Sequence, residues 1–342
     1  MNKELSNPNT DNSRIVSVDI LKGLLILCVC LGHTYFVYGN VLFWFHIPAF
    51  FFMSGINFKV QGKDYGCWIK NKAIKLFPAY LLYVFLYEIL QFQGSKRFIL
   101  NVFKAIYGGR MYPYGFWFIT CLFISLSLFL FVELNIKGKK KYLIYGFMFL
   151  IGFLESSTVI PHDSLPGYGI PSYLNFPWNV DVCLFAAPFI ALGYYNKNRF
   201  LQFLEAPTRK QILAGGGVTI ASIVLLYLSK AGNWFVVDFK YSQYNHPGLI
   251  LLVTGCAIYV LSICTILIRC LHILSLIFQY IGMASLHMMY IHFLIRDLCI
   301  NRFGENYSLG LYLALCVVSS IGVLTIINIC KTYIVMLNNI HA

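Results

Sequence analysis

Apolar residues along this chain come in long unbroken runs separated by short polar segments. Ten such runs stand out, at 16–38, 41–58, 74–93, 116–134, 142–160, 178–195, 211–229, 247–269, 274–295 and 308–337. Most approach the roughly 20 residues that a helix needs to cross a bilayer. Strands of a membrane barrel would alternate apolar and polar positions, and these runs do not. The pattern predicts an all-α, polytopic integral membrane protein with about ten transmembrane helices. The second run is short and aromatic. The last is long enough to tilt or to end in an amphipathic piece.

Composition narrows the class further. Of 342 residues, 59% are hydrophobic and only 11% charged, with mean hydropathy +0.70. A soluble domain carries roughly 25% charged residues. Disorder, coiled coil, collagen and a secreted disulfide scaffold are excluded by the same numbers. Most of the eleven cysteines sit inside apolar runs and no C-x-x-C occurs, so they read as small core residues. No metal site is expected.

The net charge of +13 lies mainly in the polar segments. With the N-terminus inside, 17 Lys and Arg fall on cytoplasmic segments and 8 on outer ones, while Lys22 lies within a span. This bias places both termini in the cytoplasm and points to orientation in a lipid bilayer, not to nucleic acid. Residues 1–13 read as a cytoplasmic tail and 14–338 as one transmembrane domain. The first run contains Asp19 and Lys22 and lacks a small-residue cleavage site, so it reads as a retained span and not a signal peptide. The segment 94–115 runs against the bias, with four cations outside. The segment 161–177, rich in Pro, Gly and aromatics, reads equally as an outer vestibule or as an ordinary loop.

Ionisable residues at membrane depth are costly and therefore candidates for function. Lys22 and His33 are eleven residues apart. On a helix they share a face, about 20° out of register and about 16 Å apart along the axis. Asp19, three residues earlier, can pair with Lys22, which alternatively snorkels to the inner interface. His46 opens the second run. Asp181 follows Trp178-Asn179 at the start of the sixth, where it can orient an imidazole or cap a helix. Ser285 and His292, seven apart, share a face of the ninth. Glu88 lies in the third with no evident partner. Topology gathers His33, His46, Asp181 and His292 in the outer half, which suggests a polar pocket opening outward. No P-loop, dinucleotide fingerprint, H-E-x-x-H or G-x-S-x-G occurs.

Several of these residues form a recognisable set. Arg14-x4-Asp19-x2-Lys22-Gly23, Gly32-His33 and the run Phe45-His46-Ile47-Pro48-x-Phe50-Phe51-Phe52-Met53-Ser54-Gly55 resemble the membrane-bound acyltransferase 3 family. Lys22-x10-His33 matches that family's basic residue, ten residues, then His. Phe116-Trp117-Phe118-Ile119 resembles its W-F segment. Trp178-Asn179-Val180-Asp181 followed by Gly193-Tyr194 is similar to the sugar O-acetyltransferase branch, as in fucose O-acetylases. Tyr280-Ile281-Gly282-x2-Ser285-x6-His292 resembles the late G-x-x-S…H segment, with Met289 where an aromatic is common. The likeness covers roughly 14–295.

The resemblance implies transfer of an acetyl or similar short acyl group from acyl-CoA, as co-substrate, to a hydroxyl of a glycan or other small acceptor. No permanently bound cofactor is implied. His33 is the expected general base or acyl carrier, with His46, His292 and Asp181 orienting it, binding the acceptor or stabilising the oxyanion. Arg14, Asp19 and Lys22 are expected at the acyl-CoA site. Trp117, Trp178, Asn179 and Ser285 are expected at the acceptor. A multi-pass protein of a bacterial plasma (inner) membrane is the expected setting. The competing reading is a transporter or flippase for a small or lipid-linked solute, which also needs intramembrane His, Asp and Lys.

Overall fold

Helix is the only backbone arrangement that satisfies its own hydrogen bonds along a single apolar segment in lipid. The computed structural model follows that rule: the protein is 81% helical. The structure describes residues 15–60, 62, 64–156 and 176–340. Arg14, the tail 1–13 and all of 161–177 but its last two residues lie outside them.

The chain opens with α1 (Val16–Gly32), a short α2 (Gly39–Phe43) and α3 (His46–Ile56). Then come α4 (Tyr65–Leu90), α5 (Ser95–Tyr107), α6 (Trp117–Asn135) and α7 (Lys140–Leu154). Next are α8 (Val180–Glu205), α9 (Arg209–Leu228) and α10 (Pro247–Arg269). The last are α11 (His272–Met283), α12 (Ser285–Phe303) and α13 (Leu309–Ile340). Between α9 and α10 a small hairpin pairs β1 (Val237–Asp238) with β2 (Gln243–Tyr244), Val237 opposite Tyr244.

Among the described residues, six helical segments are long and apolar enough to cross a membrane: Gly39–Ile56, Tyr65–Leu90, Tyr114–Asn135, Arg209–Leu228, Pro247–Arg269 and Leu309–Cys330. The pair α11–α12, bent by 80°, makes a seventh if counted as one span. Three of the ten expected runs fall short of that standard. α1 has 17 residues and α7 has 15, and α8 extends into the polar run Asn196-Lys197-Asn198-Arg199. Lipid contact explains the outward faces, where Leu213, Ile220, Leu225, Val318 and Ile329 are exposed.

Two expectations change. The segment 94–115 is not a plain loop: it carries α5, with Lys96, Arg97 and Lys104 on a helix whose Ile99, Leu100 and Phe103 are exposed. The ninth run is not one continuous helix but breaks at Ala284. The reason lies in the packing of α11 on α1. A Cβ at Gly23 would collide with the Phe278 carbonyl, and one at Gly282 with the Asp19 carbonyl. The two backbones thus touch through reciprocal glycines, and α11 ends one residue after Gly282. The bend starts α12 at Ser285 and directs it past the end of α1.

Candidate active site

Three histidines meet in one place. His33 caps the C-terminus of α1, His46 begins α3 and His292 lies within α12. The His33 ring centre is 5.3 Å from that of His292 and 6.3 Å from that of His46. Phe43 and Phe293 pack on His33 at 4.9 and 4.5 Å. Together they line a cavity of about 380 Å³, with Trp117 and Tyr114 on another wall.

Hydrogen bonding sets two of the three tautomers. His46 Nδ1 is 2.6 Å from the Leu42 carbonyl and His292 Nδ1 is 3.1 Å from that of Met288. A carbonyl only accepts, so each Nδ1 carries a proton and each Nε2 of a neutral ring presents a lone pair. His292 Nε2 is buried without a hydrogen-bond partner among the described residues. These two rings therefore suit accepting a proton or holding a hydroxyl. Neutral, they cannot donate from Nε2 to an oxyanion. The His33 carbonyl accepts from Arg296 Nη1 at 3.4 Å, and the Arg296 guanidinium lies 4.8 Å over the Phe293 ring. Arg296 Nε and Nη2 donate to Asp297 Oδ1 at 3.2 and 2.9 Å.

A second cavity, termed the inner one, adjoins the first. Phe50, Phe118 and Met289 line both, and the inner one, of about 340 Å³, contains Lys22, Lys72 and Ser285. Asn57, Phe58 and Lys72 are in turn shared with a third, more open cleft of about 680 Å³ lined by Lys59, Lys75 and Trp68. A cationic cleft and a histidine chamber are thus the two ends of a train of three spaces. Lys22 lies 3.5 Å from Asp19 Oδ1, so the expected pair is present, with Asp19 buried.

Asp181, Trp178 and Asn179 are not among the residues that line the histidine cavity. Asp181 forms a buried ion pair with Arg110 and, among the described residues, hydrogen-bonds no imidazole. The cause is topological: the turn Gly109–Met111 inserts Arg110 between α6 and the start of α8. Trp178 donates its indole N–H to the Ile106 carbonyl at 2.8 Å and packs on Phe77. Asn179 adopts a left-handed backbone (φ 54°), which Asn tolerates. Its amide donates to the Lys240 carbonyl at 3.0 Å, and Arg110 Nε donates to the same carbonyl at 2.9 Å. Asn179 and, through Arg110, Asp181 are therefore linked to the site indirectly, through the hairpin that forms one of its walls, whereas Trp178 packs away from it. Trp117 is on the cavity wall, and Ser285 lies at the inner cavity with Lys22 and not at the outer one. Glu88 accepts from Asn101 at 2.9 Å and from Tyr112 at 2.9 Å.

Sequence reasoning missed the wall that the hairpin supplies. Asp238, Lys240 and Tyr241 line the cavity, as does Arg296. Burial pushes the Lys240 ammonium below its usual pKa, and Asp238 partly opposes this. Burial pushes the Asp238 carboxyl up, against the backbone N–H bonds from Tyr241 and Lys240.

A family model described as an acyltransferase domain, that of acyltransferase 3, matches residues 15–329. No curated protein and no solved structure matches the chain.

Proposed function

The chain belongs to the acyltransferase 3 family, and on that premise we propose that it moves an acetyl or similar short acyl group from acyl-CoA to a hydroxyl of a glycan or small acceptor. Membership makes it an acyltransferase, which favours that reading of the polar groups over a transporter or flippase.

One observation carries the finer reading: the three spaces joined by shared lining residues, cationic at one end and bearing histidines at the other. Acyl-CoA has an anionic nucleotide, a long thin arm and a thioester at its tip. Lys59, Lys72 and Lys75 suit its phosphates, and Trp68 offers a face to its base. The arm would follow the inner cavity past Lys22 and Ser285. The thioester would then reach the neck at Phe50, Phe118 and Met289. Ten spans with both termini in the cytoplasm of a bacterial plasma membrane would put the cleft inside and the histidine chamber outward.

A sugar hydroxyl attacks poorly until its proton is taken. His33 takes that proton as the hydroxyl oxygen attacks the thioester carbon, and the C–S bond breaks to release the CoA thiolate, which His33 reprotonates. General-base help of this kind gives about 10²–10⁴-fold. His46 and His292 would accept, through their Nε2 lone pairs, from other hydroxyls of the acceptor and so orient it.

The test is transfer of label from acetyl-CoA to candidate glycans by purified protein, with His33→Ala and Lys22→Ala alongside. Labelled acceptor is the expected product. Full activity in a folded His33→Ala would remove His33 from the chemistry. No labelled acceptor across neutral, acidic and phosphorylated sugars would remove the O-acyl transfer itself.

A further inference from the structure

Among the described residues, three charged side chains line the histidine cavity: Asp238, Lys240 and Arg296. Two of them are already engaged. Arg296 is held by Asp297 Oδ1 and stacked on Phe293. Asp238 Oδ1 accepts the backbone N–H of Lys240 at 2.9 Å and of Tyr241 at 3.4 Å, closing the turn. Lys240 differs. Among the described residues its ammonium has no carboxylate within ion-pair distance and makes no hydrogen bond; its Nζ lies 5.3 Å over the Tyr241 ring.

Nor is Lys240 a loose surface side chain. Its carbonyl is clamped by Arg110 and Asn179, both buried, and Arg110 is fixed in turn by Asp181. The hairpin is tied down again beyond it: Ser242 donates to Glu155 at 3.2 Å, and the Tyr244 hydroxyl donates to the Gly152 carbonyl at 2.9 Å. Several buried polar contacts thus position one cation at the wall of a cavity whose other polar groups include three histidines. Drawing an ammonium out of water is unfavourable when the nearest carboxylate, that of Asp238, lies beyond ion-pair distance and compensates only in part. A neutral hydroxyl accepts from the ammonium but brings no opposite charge, whereas a carboxylate or phosphate supplies both the acceptor and the charge.

We propose that the histidine cavity takes an anionic group, a carboxylate or phosphate on one of the two reactants, and that Lys240 is the residue that selects it. The acyltransferase reading supplies the two reactants; the anion site itself stands on the hairpin geometry. The anion has two possible sources. It is either an acid group on the acceptor, such as a uronic acid or sugar phosphate, or the distal carboxylate of a dicarboxylic acyl group such as succinyl.

Equilibrium binding separates the sources without needing turnover. The full-length protein in nanodiscs is titrated with methyl glucuronide and glucose 6-phosphate against methyl glucoside, and with succinyl-CoA against acetyl-CoA. The acidic member of one set is expected to bind about tenfold or more tightly than its neutral partner. Lys240→Gln should bring that ratio close to one, and Lys240→Arg should keep most of it. Lys240→Met, which keeps the aliphatic stem, serves as the second neutral variant if Gln disturbs folding. A preference in the glycoside set assigns the anion to the acceptor, and one in the acyl-CoA set assigns it to the donor. Equal binding in both sets, or a preference that survives both neutral variants, overturns the proposal. Label transfer on the same samples tests the acyltransferase reading separately: an anion preference lost with Lys240 but no acyl transfer would sink that reading and leave the anion site standing.

Discussion

The rings of His33 and His292 face each other 5.3 Å apart, one at the end of α1 and the other on the far side of a helix break. Their hydrogen bonding differs. His292 Nδ1 is tied to the Met288 carbonyl, while the His33 ring is held by aromatic packing alone among the described residues. This asymmetry suits a mobile base beside a fixed acceptor of hydroxyl protons.

Substitutions can separate those roles. His33→Ala is expected to lower kcat by about 10²–10⁴-fold with folding intact. His292→Asn keeps an amide near the Nδ1 position and removes the Nε2 lone pair, so it should raise the acceptor KM. His292→Gln should keep kcat within about tenfold of wild type, since an amide can orient a hydroxyl but is a poor base. Steady-state kinetics with thermal unfolding as the folding control decide this. A kcat loss in His292→Gln as deep as in His33→Ala would exchange the two assignments.

The Arg110–Asp181 pair is buried on both sides, at 1% side-chain exposure each. Breaking such a pair leaves an uncompensated charge and costs about 3–5 kcal/mol. Asp181→Asn and Arg110→Met should each lower the unfolding temperature in detergent. Each should also open the hairpin to limited proteolysis, because Arg110 Nε holds the Lys240 carbonyl. The double variant Arg110→Met/Asp181→Leu should recover much of the lost stability. A single variant with wild-type stability and protection would show that the pair does not support the hairpin.

The sequence carried the helical character and pointed to His33, His46 and His292, whose rings the structure brings together, because lipid makes each intramembrane polar residue conspicuous. It misplaced Asp181 for a definite reason. A carboxylate at a span entrance has several candidate partners, and Arg110 lies 71 positions away in a segment that reads as a loop. The break at Ala284 left no trace in hydropathy, since it follows from backbone contact between Gly23 and Gly282. One signal was available and unused. Arg110, Lys240 and Arg296 all belong to the cations that the expected topology puts outside, against the orientation bias, and all three meet at or behind the histidine cavity. A cation that orientation does not require is a candidate for an ion pair or a ligand.

Leu122 offers a way to interrupt the path between cleft and chamber. It lines the inner cavity and is not among the residues lining the histidine cavity. Leu122→Trp should fill that space and raise the acyl-CoA KM by about tenfold or more, since misplacement by about 1 Å can cost up to about 10²-fold in rate. The acceptor KM should stay near wild type, and Leu122→Ala should have a small effect on both. An unchanged acyl-CoA KM in a folded Leu122→Trp would show that the arm takes another route.

Lys240 supplies a pH signature. Burial disfavours its charged form, and nearby Asp238 restores part of the loss, so its pKa lies below that of a free lysine. Anion binding needs the ammonium. Affinity for the acidic ligand should therefore hold at lower pH and fall as pH rises through the lowered pKa, earlier than the value of about 10.4 for an ordinary lysine would allow. The groups around it that share the cavity are Asp238, Tyr114, Tyr241, Arg296 and the three histidines, so the neutral ligand is the control for their titration. Taking the acidic-to-neutral affinity ratio at each pH removes what they contribute equally to both. Lys240→Arg should carry the alkaline fall out of the measurable range, because a guanidinium stays protonated. A ratio that falls at the same pH in wild type and Lys240→Arg would assign the titration to another group.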